Sequence, residues 1–203
     1  MAKKGGKNSV DMKAVMREIS KDKKVREQIS KKVEQRVQEI KQKLIRDFAS
    51  HPVTQEINAG VSAGNTSNLL GGAGNLFSFI GFSAGASPVD AVMSLLERNI
   101  NFKRLKPTLR RVSKRDFKIE AEIEWVTMGE LFSSSPMPWE PGSWLEGIER
   151  GISGLGQFME ARSKGRSKGG IQVKGTVNQG LFRPTKYLPA MLLEAEQIMK
   201  KGK

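Results

Sequence analysis

Phe117-Lys118-Ile119-Glu120-Ala121-Glu122-Ile123-Glu124-Trp125 alternates without a break, apolar on odd positions and charged on even ones. Two is the side-chain period of a strand, so this stretch predicts a β-strand with one face buried and one charged. Upstream, Ser113-Lys114-Arg115-Asp116 reads as a turn. Ile100 to Val112 reads as a second strand, interrupted near Pro107, whose nitrogen cannot donate to a ladder. Paired with its neighbour, the basic strand sets Arg and Lys opposite Glu120, Glu122 and Glu124, a favourable cross-strand arrangement. Three carboxylates at period two are here the solvated face of an antiparallel strand, not a metal site.

Helical patterning surrounds this hairpin. Between Asp11 and Phe48, Met12, Val15, Met16, Ile19, Val25, Ile29, Val33, Val37, Ile40, Leu44 and Phe48 recur at steps of mostly three and four. Unbroken, such a helix would be roughly 57 Å long at 1.5 Å per residue, and Ser20-Lys21-Asp22 is where it could break. Its narrow apolar stripe suits either a neighbouring subunit or the chain's own sheet. His51-Pro52 ends it, because the residue before proline leaves the α region. A Gly/Ser/Asn segment follows, holding Leu76-Phe77-Ser78-Phe79-Ile80-Gly81-Phe82, and reads as an arm with an embedded short strand or anchor. Ser87, Pro88 and Asp90 start a helix running to about Arg98. Ser143-Trp144-Leu145-Glu146 is a capping box opening another, its apolar stripe continuing to Phe158 and Met159 through four glycines at 147, 151, 154 and 156. The expected architecture is α+β, a small antiparallel sheet packed by helices with a long N-terminal helix and an extended Gly-rich arm. The expected division is 1–50 (basic disordered tail and long helix), 51–86 (arm) and 87–203 (core domain with a loop and helix insertion at 133–170).

Composition narrows the function. Thirty-five Lys and Arg stand against 21 acids, a net charge of +14. Such a surplus attracts nucleic acid or an acidic protein surface, or keeps a subunit soluble before assembly. It is concentrated in two runs. Lys103, Arg104, Lys106, Arg110, Arg111, Lys114, Arg115 and Lys118 face only Asp116, and Arg162, Lys164, Arg166, Lys168 and Lys174 face no acid. No nucleic-acid recognition motif accompanies them, so any phosphate contact should be salt-dependent and indifferent to sequence. The basic N-terminus precedes no apolar run, and no stretch has the length of a membrane span, so a soluble protein assembled in a cytoplasm is expected.

Chemistry has little to work with. Cysteine is absent and His51 is the single histidine, which excludes thiolate catalysis and leaves only carboxylates for a metal. Gly81-Phe82-Ser83-Ala84-Gly85 fits a nucleophile elbow on paper, but that motif needs a strand–turn–helix frame and a histidine downstream of the serine. Gly71-Gly72-Ala73-Gly74 lacks the Gly-Lys-Ser/Thr that a phosphate loop requires. The reading is a protein that is not an enzyme and carries no cofactor.

The C-terminal segment carries a resemblance. Ile171-Gln172-Val173-Lys174-Gly175-Thr176-Val177 alternates like a strand, and Phe182-Arg183-Pro184-Thr185-Lys186-Tyr187-Leu188-Pro189-Ala190-Met191-Leu192 leads into an amphipathic helix from Pro189 to Lys200. Strand, loop, Arg-Pro/aromatic signature and closing helix, in that order, resemble the tailed-phage neck, head–tail joining and tail-completion (tail-terminator) proteins. The helix Asp11–Phe48 and the strands around 108–125 and 171–177 match as well, about half the chain in all. Thr185-Lys186, between Arg183-Pro184 and Tyr187-Leu188, departs from the pattern.

The resemblance implies a structural virion protein, a ring, often hexameric, at the head–tail joint that completes the tail while DNA passes through its lumen. Its partners would be copies of itself, other neck, tail and connector proteins, and DNA contacted non-specifically, with no membrane. Leu76, Phe77, Phe79 and Phe82 of the arm, together with Trp139, Trp144, Arg183, Pro184, Tyr187 and Leu188, are the expected subunit-interface residues. Residues 103–118 or 162–174 are expected to face DNA or an acidic neighbour. The competing readings are a non-specific nucleic-acid-binding protein and a capsid or baseplate accessory protein.

Overall fold

The computed structural model describes Glu18 and residues 22–70, 74–111, 117–138, 141–150 and 185–201. The segment 12–17 of the expected first helix, the turn 113–116, Trp139, the basic loop 162–170, the strand 171–177 and Arg183-Pro184 lie outside these residues.

Helix α1, Lys23–Ser50, starts where Asp22 was expected to break the pattern. The Asp22 carboxylate accepts from the Lys24 and Val25 amides at 2.8 and 3.4 Å, satisfying N–H groups that a helix start leaves without internal partners. Its 28 residues make a rod of about 42 Å. Burial along the apolar stripe is graded. Val25, Ile29 and Val33 stay partly exposed, whereas Val37, Ile40, Leu44 and Phe48 are buried.

The chain divides into two compact units. One unit joins residues up to Gln38 with Asn101–Glu124, and the other joins Glu39–Ile100 with the residues from Trp125 onward. The hairpin groups with the first half of α1, not with the C-terminal helices.

In the first unit, β1 (Asn101–Arg111) pairs antiparallel with β2 (Phe117–Glu124). Two irregularities on β1 decide its faces. Phe102 pairs with Ile123 but Arg104 with Glu122, and Leu105 pairs with Ala121 but Leu109 with Ile119. Extra residues on β1, with Pro107 inside the second irregularity, keep Phe102, Leu105 and Leu109 as register partners of the apolar residues of β2. The Arg26 guanidinium of α1 donates to the Leu105 and Lys106 carbonyls at 3.5 and 3.4 Å, next to this bulge. One expectation needs correcting: Ile119, Ala121 and Ile123 are not buried but partly exposed, because a two-stranded hairpin has no second layer of its own to cover them.

The second unit is helical. His51, extended at φ −65° and ψ 134°, ends α1 and caps α2 (Pro52–Asn58), its Nδ1 accepting from the Val53 amide at 3.3 Å. A 3₁₀ turn, Gly60–Ser62, leads on, and a helix, α3 (Leu76–Ile80), stands where a short strand or anchor was expected. Asn75 Oδ1 accepts from the Ser78 amide at 2.9 Å to start α3. Gly81, at φ 85°, ends it, with Phe82 N–H donating to the Phe77 carbonyl at 3.2 Å and Gly81 N–H to that of Ser78 at 3.1 Å.

Helix α4 (Pro88–Asn99) begins at Pro88 as expected, although the Ser87 hydroxyl makes no capping bond. Thr127 and Glu130 form a reciprocal capping box for α5 (Met128–Ser133). Ser143, accepting from the Glu146 amide at 3.2 Å, starts α6 (Trp144–Arg150). Helix α7 (Leu188–Lys201) closes the chain, with Glu149 of α6 accepting from the Ala190 amide at 2.9 Å in its first turn. Burial raises the Glu149 pKa, against the lowering effect of the amides of Ala190 and Tyr187.

The expected extended arm is not extended where it is described. Glu56, fully buried on α2, takes the Ser67 amide on Oε2 and the Leu76 amide on Oε1, both at 2.7 Å. Asn75 Nδ2 donates to the Val61 and Ala63 carbonyls, both at 3.1 Å. These bonds tie the segment to α2 and bury Leu76, Phe77 and Ile80 in the chain's own core.

Candidate functional site

The charged face of the hairpin is a ladder of ion pairs. Lys103 Nζ lies 3.3 Å from Glu124 Oε1, Arg104 Nε 2.7 Å from Glu122 Oε2, and Lys106 Nζ 3.2 Å from Glu120 Oε2. The hydrogen bond from Arg104 and then its charge hold the Glu122 carboxyl below the ordinary carboxylate range. These pairs sit in solvent, where screening leaves each of them little weight in stability, but together they neutralise the face they occupy. Three of the expected polyanion contacts therefore already have carboxylate partners. Further along the register, Arg110 is the partner of Lys118 and Arg111 that of Phe117. Lys114, Arg115, Arg162, Lys164, Arg166 and Lys168 lie outside the described residues.

The first unit's apolar surface is incompletely covered. Phe102, Ile119, Ala121 and Ile123 on the hairpin and Val25, Ile29 and Val33 on α1 are partly exposed among the described residues. Val37 and Leu105 are the described hydrophobic residues of this unit that reach burial. In the second unit, Val61, Leu193 and Ile198 are 58%, 50% and 40% exposed, as single side chains rather than a stripe.

Five of the ten residues expected at a subunit interface lie in the chain's own core. Leu76, Phe77, Trp144, Tyr187 and Leu188 are all at most 1% exposed, inside the core of the second unit. Tyr187 is the hub. Its ring centroid lies 5.6 Å from Phe48, 4.9 Å from His51 and 6.3 Å from Trp144, and its hydroxyl is 2.7 Å from Thr54 Oγ1. Burial pushes the Tyr187 hydroxyl pKa well up and the His51 imidazole pKa down. Tyrosine and tryptophan read as interface anchors serve here to seat α6 and α7 on the end of α1. The sequence offered a signal, since His51 and Tyr187 carry polar handles that burial must satisfy. Phe79 and Phe82 are partly buried, the Phe82 ring tilted against Phe77 at 5.4 Å and edge-on at 6.1 Å to Trp144.

A shallow cleft of about 340 Å³ opens beside Phe82 and Trp144, lined further by Pro88, Pro136, Met137 and serines, with no titratable side chain in its described wall. The Gly81–Gly85 stretch joins α3 to α4, so Ser83 sits exposed between two helices and not on a strand–turn–helix elbow. Among the described residues no three His, Cys, Asp or Glu side chains gather as a metal site, and no helix is long and apolar enough to cross a membrane. Comparison with protein-family models, with curated proteins and with solved structures finds no match to the chain.

Proposed function

We propose that this chain is a structural subunit of a tailed bacteriophage head–tail joint, where copies of it close a ring, hexameric by resemblance, that completes the tail and lets DNA pass. The observation that carries the reading is the first unit. A helix and a two-stranded hairpin that leave Val25, Ile29, Val33, Phe102, Ile119 and Ile123 partly exposed form a surface suited to a further layer. A neighbouring copy supplies that layer in a ring. The C-terminal order of Tyr187-Leu188 and the closing helix supports the family-level part of the reading through the resemblance. The second unit is packed around Tyr187 and pinned by Glu56.

Electron microscopy of the purified protein tests the assembly, with closed rings expected and dispersed monomers, even beside tail partners, contradicting it. Mass spectrometry of purified phage particles tests the location. A small symmetric copy number is expected. Absence from the particle, or a copy number matching the capsid lattice, would move the protein to one of the competing readings.

A further inference from the structure

We propose that one face of α1 in the first unit, formed by Lys24, Gln28, Lys31, Lys32 and Gln35, is a contact for the phosphate backbone of duplex nucleic acid. It is here that the fold leaves its cations without partners. On the hairpin, Lys103, Arg104 and Lys106 are each held by a glutamate. On α1 itself, Arg26 donates to hairpin carbonyls and Lys43 lies against Asp47. In the second unit Arg98, Arg150, Lys186 and Lys200 have partners as well. Among the cations whose side chains the structure describes, those with neither an ion pair nor a side-chain hydrogen bond are Lys23, Lys24, Lys31, Lys32 and Arg46. All five are exposed and all stand on α1, four of them between Lys23 and Lys32 in the first unit.

Helix periodicity gathers them. Lys24, Gln28, Lys31, Lys32 and Gln35 follow the spacing i, i+4, i+7, i+8 and i+11, so they share one side of α1, away from the stripe of Val25, Ile29 and Val33. Glu27 and Glu34 fall with Lys23 on the other shoulder of the helix, which leaves this side three cations, two amides and no acid. Both glutamines are exposed and, like the lysines, make no side-chain hydrogen bond within the chain. Residue type favours nucleic acid over an acidic protein. Protein interfaces are depleted in lysine and draw on aromatic residues, Met and Arg, none of which stands on this face. Lysine instead meets phosphate as a point charge, and glutamine donates to phosphate oxygens. Over the roughly 16 Å from Lys24 to Gln35 a duplex presents about ten charges. No aromatic residue lies between Lys23 and Arg46, so the bases of a single strand find nothing there to stack on. Duplex contact through this face does not require copies of the chain to close a ring.

The test measures binding of the full chain to a short fluorescent duplex of arbitrary sequence across a salt series. Two double variants remove the same charge. Lys24→Gln with Lys31→Gln takes it from the proposed face, and Lys43→Gln with Lys200→Gln takes it from lysines already paired with Asp47 and Glu196. Expected is salt-dependent binding by the parent, with a slope of log affinity on log salt smaller by about 2 for the first double variant and unchanged for the second. Lys31→Gln alone should lower the slope by about 1, so the effect follows the number of cations removed from the face. Glutamine is a good helix former, and all the lysines replaced are exposed, so the thermal midpoints should match that of the parent. Equal slopes for the two double variants, no binding to duplex at low salt, or tighter binding to polyglutamate or to a single strand than to duplex would each overturn the proposal.

Discussion

At the scale of single residues, buried polar groups with assigned partners hold the second unit. Tyr187→Phe leaves the Thr54 hydroxyl buried without the partner it has at 2.7 Å, so a loss of about 1–3 kcal/mol is expected in urea unfolding. Adding Thr54→Val to Tyr187→Phe should recover part of that loss, since both polar ends are then gone. Glu56→Gln keeps the shape but has one acceptor oxygen for two amides, and should cost about 1–3 kcal/mol by the same measurement. His51 gives a pH signature. Burial lowers its pKa below the ordinary 6.5, and its Nδ1 accepts a hydrogen bond in the neutral form. The unfolded chain therefore takes up the proton first, so the stability His51 contributes is present above pH 6.5 and is lost as pH falls through its folded pKa. His51→Gln should flatten that dependence in a thermal-melt pH series, and an unchanged profile would count against the cap.

At the scale of elements, the hairpin was legible and the arm was not. Strict alternation from Phe117 to Trp125 predicted a strand, and the charges on its neighbour predicted the ion-pair ladder that joins Arg104 to Glu122. The bulge at Pro107 followed from the missing N–H. Burial of the apolar face did not follow, because alternation shows that a strand has two faces but not that anything covers one of them. The Gly-rich segment was misread because glycine frequency speaks for freedom, whereas fixed partners decide whether freedom is used. Here the deciding residues were Glu56, distant in sequence, and Asn75 with Gly81, whose spacing brackets one short helix. Thr127-Met128-Gly129-Glu130 has the spacing of a capping box, and Thr127 and Glu130 form it in the structure. Asn75→Ala should show how strongly the segment is pinned. It removes the cap of α3 and two bonds to carbonyls, with an expected cost of about 1–2 kcal/mol and earlier proteolysis between 61 and 75.

At the scale of the whole molecule, the two units divide the work. The second holds nearly all the described core, including its largest buried side chains, Trp144, Tyr187, Phe48 and Phe77. The first presents a graded helix stripe and a hairpin with partly exposed Ile119 and Ile123. The proposed role follows from that division, one body for stability and one surface for assembly. Sedimentation velocity on the parent chain and on Val33→Asp tests this most directly, with near-ultraviolet circular dichroism of Trp144 and Tyr187 reporting the second unit. The expected result is an assembled species for the parent, a monomer for Val33→Asp, and the same dichroism for both. A parent that stays monomeric at every concentration, or a Val33→Asp variant that assembles like the parent, would contradict it.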